Sequence, residues 1–504
     1  MALNPVERCL VDLAGRWQVF RDDTSKRLLI WQVADNAFRL LQCFFEVQKH
    51  DTEYSTADLF IVFDAPFDNS IQYARSLKEA LAGQYDASRE DLIQQGVEPA
   101  WQYAPESFPD TATGFVRSVL SMLTAHRTTL NGLAIVLMPQ HVADDEAFVA
   151  WLRRALDSGM PDQLRIVVPE STESPRLSAL IAARHLQVAI DAPPIDGLAT
   201  AQQTFAQEAT VGPAGVFRNH LIGLAALAEK GSADQVNTKA QDAIAFARQQ
   251  QWPDQEAVVL MLVAGAFLKE KRFGEATQSY RNARQAATQA DAGGHPAAQQ
   301  LILQTWFGEA GAYLAAGDDL QAADCYDEAG RVAQQISNAI LAIEAFRMGA
   351  FCYARLDDRD AALERSDIAL ILGGRLEPDE RQMTTLPIAA VDVLRVVEPK
   401  RVKRMEALKQ RQEAQIGAAR ASAEQRIAVL EHNGDAQRLR VIEDRLAHET
   451  AQARQEAAQS LNKLVGAGNE QFRALFARAR DLLGEQWPLL DPMAMPQAAQ
   501  ERGA

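Results

Sequence analysis

The sequence predicts a multidomain α + α/β protein: an N-terminal α/β domain with a mostly parallel sheet, a helical repeat array, and a C-terminal long helical hairpin. Three observations predict it. Over residues 1–207, short runs of Val, Ile and Leu alternate with amphipathic stretches. Over 208–395 the strand signal vanishes and Ala-rich helical periodicity replaces it. Beyond Pro399, up to about Gly466, proline is missing and Ala, Glu, Gln, Arg and Leu dominate. At 504 residues, with 47% hydrophobic and 23% charged residues, two or three globular domains fit the chain.

In the first region the runs Leu28–Val33, Leu59–Asp64, Leu133–Met138, Leu164–Val168 and Leu186–Ile190 are short and nearly continuous in apolar residues. Such runs suit strands buried on both faces. Phe38–Val47, Ile71–Leu81, Phe115–Leu123 and Phe148–Leu156 read as the helices between them. Pro193-Pro194 and Gly212-Pro213 mark the approach to the next region.

In the last region, 396–487, two narrow apolar stripes recur in steps of three and four. One holds Met405, Leu408, Ile416, Ala419, Ala423, Ile427 and Leu430; the other holds Leu439, Ile442, Leu446, Ala453, Ala457, Leu461 and Leu464. Asn433-Gly434 lies between them, where a helix end favours residues tolerant of positive φ. Two antiparallel helices of about 45 Å each follow, with one unbroken helix as the structural alternative. The tail, 488–504, is rich in Pro, Gln, Ala and Gly and reads as flexible.

The middle region repeats with a period of roughly 40. One copy has Leu260, Ala264 and Phe267, then Ala276, Tyr280 and Ala283. The next has Trp306, Ala310 and Tyr313, then Ala322, Tyr326 and Ala329; a third has Phe346, Ala350 and Tyr353, then Ala362 and Ala369. A weaker copy comes first, with Leu224, Leu227 and Ala228, then Ala240, Ile244 and Ala247. This spacing resembles the tetratricopeptide repeat family, in which small residues let paired helices approach and aromatic ones fill the space to the next pair. The match covers about a third of the chain. Glu309 stands where an apolar residue is usual and Ser366 replaces an aromatic. Equivalent alanines fall at 240, 276, 322 and 362, wider than the family's unit, so longer helices or inserted loops such as Ala292-Gly293-Gly294-His295-Pro296 are expected. The resemblance implies a protein partner held by the array.

No intact catalytic motif occurs, so the chain reads as a non-enzyme with no cofactor and no metal site. The N-terminal domain is weakly similar to a degenerate P-loop domain. A phosphate-binding turn would need glycines and a lysine after the first strand, yet Val33 runs into Ala34-Asp35-Asn36-Ala37-Phe38. Asp64 and Asp191 end apolar runs but sit in Asp-x-Pro turns. His126 and His185 read as surface or cap residues, Phe38–Phe45 as core, and the cysteines Cys9, Cys43, Cys325 and Cys352 as buried thiols suited to a reducing cytoplasm.

The net charge of −16 excludes a nucleic-acid protein as a whole. Residues 400–480 hold 16 Lys plus Arg against 10 Asp plus Glu, and are about +6 beside −22 elsewhere. Lys400, Arg401, Lys403 and Arg404 are candidate contacts there, for an acidic surface on the chain itself or on a second copy, which would make a homo-oligomer. No stretch is apolar enough to insert in a membrane. The expectation is therefore a cytoplasmic protein-binding adaptor or chaperone, in the manner of a bacterial assembly or secretion pathway. A regulatory ATPase-like switch with a degenerate nucleotide site and a self-assembling scaffold are the alternatives.

Overall fold

The structure is a computed structural model, and it describes residues 3–50, 52–197, 199–200, 203–204, 212–431 and 435–490. The expected turn at Asn433-Gly434, the boundary at 207/208 and the tail beyond Leu490 lie outside the described residues. The chain divides into two compact units, Met1–Glu208 with Glu413–Ala453, and Ala209–Gln412 with Arg454–Ala504. Residues 396–487 are thus shared between the two units.

In the first unit five strands form a parallel sheet: β1 Leu28–Val33, β2 Leu59–Phe63, β3 Leu133–Leu137, β4 Leu164–Ser171 and β5 Val188–Asp191. Their order is β2-β3-β4-β1-β5. The last strand starts two residues later than its apolar run, leaving Leu186 84% exposed. Alternation splits the strands between two cores. Leu29, Trp31 and Val33 face helices α1 (Pro5–Asp22) and α2 (Phe38–Val47). Leu28, Ile30, Ile135 and Val168 face α3 (Ser70–Ala87), α5 (Ala112–Ala125), α6 (Asp145–Asp157) and α7 (Ser178–Ala182), and a short α4 (Arg89–Gln94) follows α3. Both faces being covered explains why the strands read as unbroken apolar runs. Phe44 and Phe45 pack edge-on and tilted against the buried Trp31 ring, so the aromatic run is core.

The second unit is a TPR-like array of antiparallel pairs. Its first helices are α8 (Pro213–Lys230), α10 (Pro253–Lys269), α12 (Ala298–Ala316) and α14 (Ala339–Arg355); their partners are α9 (Ala233–Gln249), α11 (Phe273–Ala292), α13 (Asp319–Gln335) and α15 (Arg359–Gly373). The wide repeat spacing is helix length, since α11 has 20 residues and α12 has 19. After a short α16 (Pro378–Arg381), α17 (Leu386–Val397) leads to the long helices α18 (Pro399–Leu430) and α19 (Ala436–Gly466), and α20 (Glu470–Leu483) follows. The bases of α18 and α19 join the second unit's core through Val402, Met405, Ala457 and Leu461.

One joint recurs through the array. Gln251, Lys271, Gly294, Gly317, Ser337 and Asp357 all adopt positive φ just after a helix. At each, the next residue's N–H reaches back to the carbonyl five residues earlier, as in Trp252 to Ala247 at 2.9 Å, Arg272 to Phe267 at 2.9 Å and Asp358 to Tyr353 at 3.0 Å. This is the Schellman closure, which satisfies the last free carbonyls of a helix. Between pairs, aromatic rings seat on glycines. A Cβ on Gly308 would lie 2.2 Å from the Tyr280 ring, and one on Gly330 would lie 2.7 Å from the Phe346 ring.

Candidate protein-binding surfaces

The repeat-defining residues lie within these helices and act as packing. Ala264, Ala276, Ala283, Ala310, Ala322, Ala329, Ala362 and Ala369 are fully buried, and Ala350 nearly so. Glu309, the departure from the family pattern, is buried on α12 and held by two arginines of α11. Arg281 Nε donates to it at 2.7 Å and Arg284 Nη2 at 2.6 Å, while the Arg284 guanidinium lies 3.4 Å over the Trp306 ring. Asp327 does the same on α13, accepting from Arg365 Nη2 at 2.8 Å with that guanidinium over Tyr353. Each buried acid thus ties its own helix to a neighbouring one through arginine. Ser366 is simply buried where the family has an aromatic. Cys325 and Cys352 are buried thiols, pushed up to about 12 by desolvation first of all, and so unreactive. Cys43 departs from the expectation: it is exposed, on the outer side of α2.

The array also carries a cleft of about 780 Å³ at its N-terminal end. Phe217 and Leu221 of α8 form one wall, and Trp252, Pro253 and Asp254 another; His295 closes it from the joint after α11. Trp252 packs edge-on against Phe217 at 5.9 Å, and His295 Nε2 stands 3.6 Å from the largely buried Asp254 carboxylate. Arg218, Gln251, Gln255 and Gln289 also line it, so apolar walls come with polar groups that can orient a bound segment. The repeat pattern did not point to Trp252 and His295, because they sit at joints and not at helix-pairing positions.

The basic run divides. Arg401 is structural: its Nε donates to Glu398 at 2.6 Å, Nη1 to the Leu464 carbonyl at 2.5 Å and Nη2 to the Ala467 carbonyl at 2.7 Å. Lys400, Lys403 and Arg404 are exposed on α18.

In the head, the strand order places the topological switch between β1 and β4, whose onward connections run in opposite directions. That is where an open α/β sheet binds anionic ligands. Here the chain fills it with its own acid. The Asp35 N–H donates to Glu173 at 3.0 Å, and the Ser171 hydroxyl donates to Asp35 at 2.6 Å. Burial acts to raise the Glu173 pKa, but hydrogen bonds from the Asp35 amide and the Thr172 hydroxyl outweigh it and hold the group below its ordinary value. A neighbouring cavity beside Phe38, Met138 and Arg176 is only about 180 Å³, against the roughly 300–1,000 Å³ of small-molecule sites. Asp64 accepts from Gln140 at 2.9 Å, and Asp191 accepts from Trp31 at 3.0 Å and Arg16 at 2.7 Å, so both are tied into structure. His126 caps α5, buried against the Tyr85 hydroxyl at 2.7 Å, and His185 is part-exposed, 3.7 Å from Asp157.

The hairpin segment 413–453 fastens to the head through carboxylates. Glu424 accepts from the Ser70 N–H at 2.7 Å and its hydroxyl at 2.6 Å, at the first turn of α3. Glu431 accepts from the Thr113 N–H at 2.7 Å, at the first turn of α5. Arg154 of α6 stands between them, 3.0 Å from Glu431 and 3.6 Å from Glu424, and donates to the Ser70 hydroxyl at 2.8 Å. Arg75 grips Glu443 with two bonds of 2.9 and 2.8 Å. Ile427, Leu439 and Ile442 cover Ile71 beside these groups. Helix N-termini attract negative charge, which the two glutamates supply. Over this segment the hairpin supplies the carboxylates and the head supplies the arginines and helix N-termini, a contact that the net charge of residues 400–480 did not foretell; Lys400, Lys403 and Arg404, the basic contacts expected from the sequence, lie outside it. Burial, the main effect, raises the Glu424 pKa against the lowering by Ser70 and Arg154.

No family model and no curated protein matches the chain. Solved structures similar to it include a Rap protein complexed with Competence and Sporulation Factor, at 12% identity, covering 82% of this chain and 96% of that one with a TM-score of 0.31. BtubC from P. vanneervenii is similar at 14% identity, over 47% of this chain and 81% of its own, with a TM-score of 0.29. A Signal Transduction ATPase with Numerous Domains protein with a tetratricopeptide repeat sensor, from Pyrococcus horikoshii, is similar at 11% identity, over 94% and 85%, with a TM-score of 0.24. Similarity this low carries no argument about what the chain does.

Proposed function

We propose that the chain is a non-enzymatic adaptor that holds a segment of a partner protein in the array cleft between α8 and the joints before α10 and after α11. The observation that carries this reading is the cleft itself, about 780 Å³ with Phe217 and Leu221 on one wall and Trp252 on the other. The joints that shape it are closed by backbone hydrogen bonds, Trp252 N–H to the Ala247 carbonyl and His295 N–H to the Ala290 carbonyl, both at 2.9 Å, and a pre-formed site lowers the ordering penalty of binding. In this reading the chain brings a client to a larger machine, as in a bacterial assembly or secretion pathway. The rival, a nucleotide-driven switch, is disfavoured by the Glu173 carboxylate at the Asp35 amide, where a phosphate would have to displace a like charge.

The test is selection of displayed peptides of about 12 residues on the immobilised full chain, followed by titration against Leu221→Lys and Trp252→Ala variants. Selected peptides should share a short apolar motif and lose at least tenfold in affinity to each variant. Peptides that bind both variants as well as the parent chain would overturn the assignment.

A further inference from the structure

A second groove, of about 410 Å³, runs between the bases of α18 and α19 in the second unit. Leu408 and Leu464 form its floor, both only partly buried against the core below. Arg404 and Arg411 stand along one wall and Lys463 on the other, all three exposed. Other cations of this hairpin are engaged: Arg401 with Glu398, Lys409 with the Pro488 carbonyl at 2.8 Å, Arg445 with Glu449 at 2.8 Å. Arg404, Arg411 and Lys463 have no hydrogen-bond or ion-pair partner among the described residues. The nearby acid Glu406 is turned to Arg395, at 2.7 Å.

We infer that this groove binds an acidic amphipathic helix of a partner protein. The two helices present a trough into which a third can lay an apolar stripe on Leu408 and Leu464. Arg404 and Arg411 are seven residues apart on α18, about 10.5 Å along its axis, so they meet carboxylates two turns apart on the incoming helix. The remainder of the chain is strongly acidic at −22 outside residues 400–480. An acidic partner is therefore repelled elsewhere on the chain and attracted here, which gives specificity as well as a salt-dependent association rate. The lining has no aromatic ring on which a base could stack, so single-stranded nucleic acid is not the occupant argued for. The groove shares no residue with the array cleft, and either could fail without the other.

The experiment titrates the full chain into a fluorescein-labelled helical peptide of Leu, Ala and Glu, with leucines at i, i+4 and i+7 and glutamates beside them. A scrambled peptide, a uridine 12-mer and phosphatidylserine vesicles are the other arms. The amphipathic peptide should bind best, lose at least tenfold in affinity to an Arg404→Glu, Arg411→Glu, Lys463→Glu triple variant, and weaken as salt rises from 50 to 300 mM. Single alanine variants should each lose about two- to fivefold, with unchanged melting. The inference is overturned if the triple variant binds the peptide within twofold of the parent, if the scrambled peptide binds equally, or if RNA or vesicles bind more tightly and lose that binding in the triple variant.

Discussion

Replacing Glu431 by alanine should loosen the hairpin segment 413–453 from the head by about 3 kcal/mol. The Thr113 N–H, 2.7 Å from this carboxylate and buried, would lose its acceptor, a loss of about 1–3 kcal/mol. Arg154 would lose its 3.0 Å partner but keep Glu424 at 3.6 Å and the Ser70 hydroxyl at 2.8 Å, so its share falls below the roughly 3–5 kcal/mol of a fully stripped buried pair. Glu431→Gln can still accept from Thr113 through its amide oxygen, and should cost about half as much. The assay is native-state hydrogen exchange, read on peptides covering 413–453. A local opening easier by 3 kcal/mol speeds exchange there by about 150-fold while the array stays protected. Exchange in this segment unchanged within twofold in Glu431→Ala would refute the reasoning.

Lys271→Gly and Ser337→Gly should each stabilise the array by about 0.5–1 kcal/mol, because both residues sit at positive φ with a side chain; chemical denaturation measures it, and a net loss would show the Cβ strain to be negligible. Glu309→Ala should destabilise the array by about 3 kcal/mol, since the mostly buried Arg284 would lose its carboxylate, whereas Glu309→Leu, volume-filled, should lose less in the same assay. The raised pKa of Glu424 has a definite sign: a folded value above the unfolded one contributes stability that is full below the ordinary carboxylate range and declines as pH climbs through the raised value. Exchange in 413–453 should therefore rise in that window, and the slope should flatten in Glu424→Gln. ATP or GTP with magnesium should leave the melting temperature unchanged, whereas a native-state ligand at ~100 times its Kd would add about 2.7 kcal/mol.

Strands and repeats were readable because each leaves a periodic trace. Leu28–Val33 and Phe38–Val47 match their expected bounds because apolar runs and a helical stripe there meet a core on every turn. Helix α1 escaped notice: its buried residues Leu10, Leu13, Trp17 and Phe20 are spaced for a helix, but Val11 and Val19 fall off that stripe and blur it, and its start depends on the four-residue capping box Asn4–Glu7. The carboxylate attachments of Glu424 and Glu431 were unreadable for a different reason. A glutamate on a long polar helix looks solvated unless the surface opposite is known, and here that surface is two helix N-termini more than 300 residues away in sequence. The same holds for Glu309, which marked itself only as an exception to a pattern.

The recurring joint also bears on how such an array can change. Because each bend closes on the preceding helix's own carbonyls, its geometry is independent of how many turns that helix contains. Gln251, Lys271, Gly294, Gly317, Ser337 and Asp357 show it, since the intervals between them differ while the closure does not. Length and local closure are therefore separate variables: a helix such as α11 can gain or lose residues at about 1.5 Å each, shifting its surface residues along the axis, while the hydrogen bonds that end it stay the same.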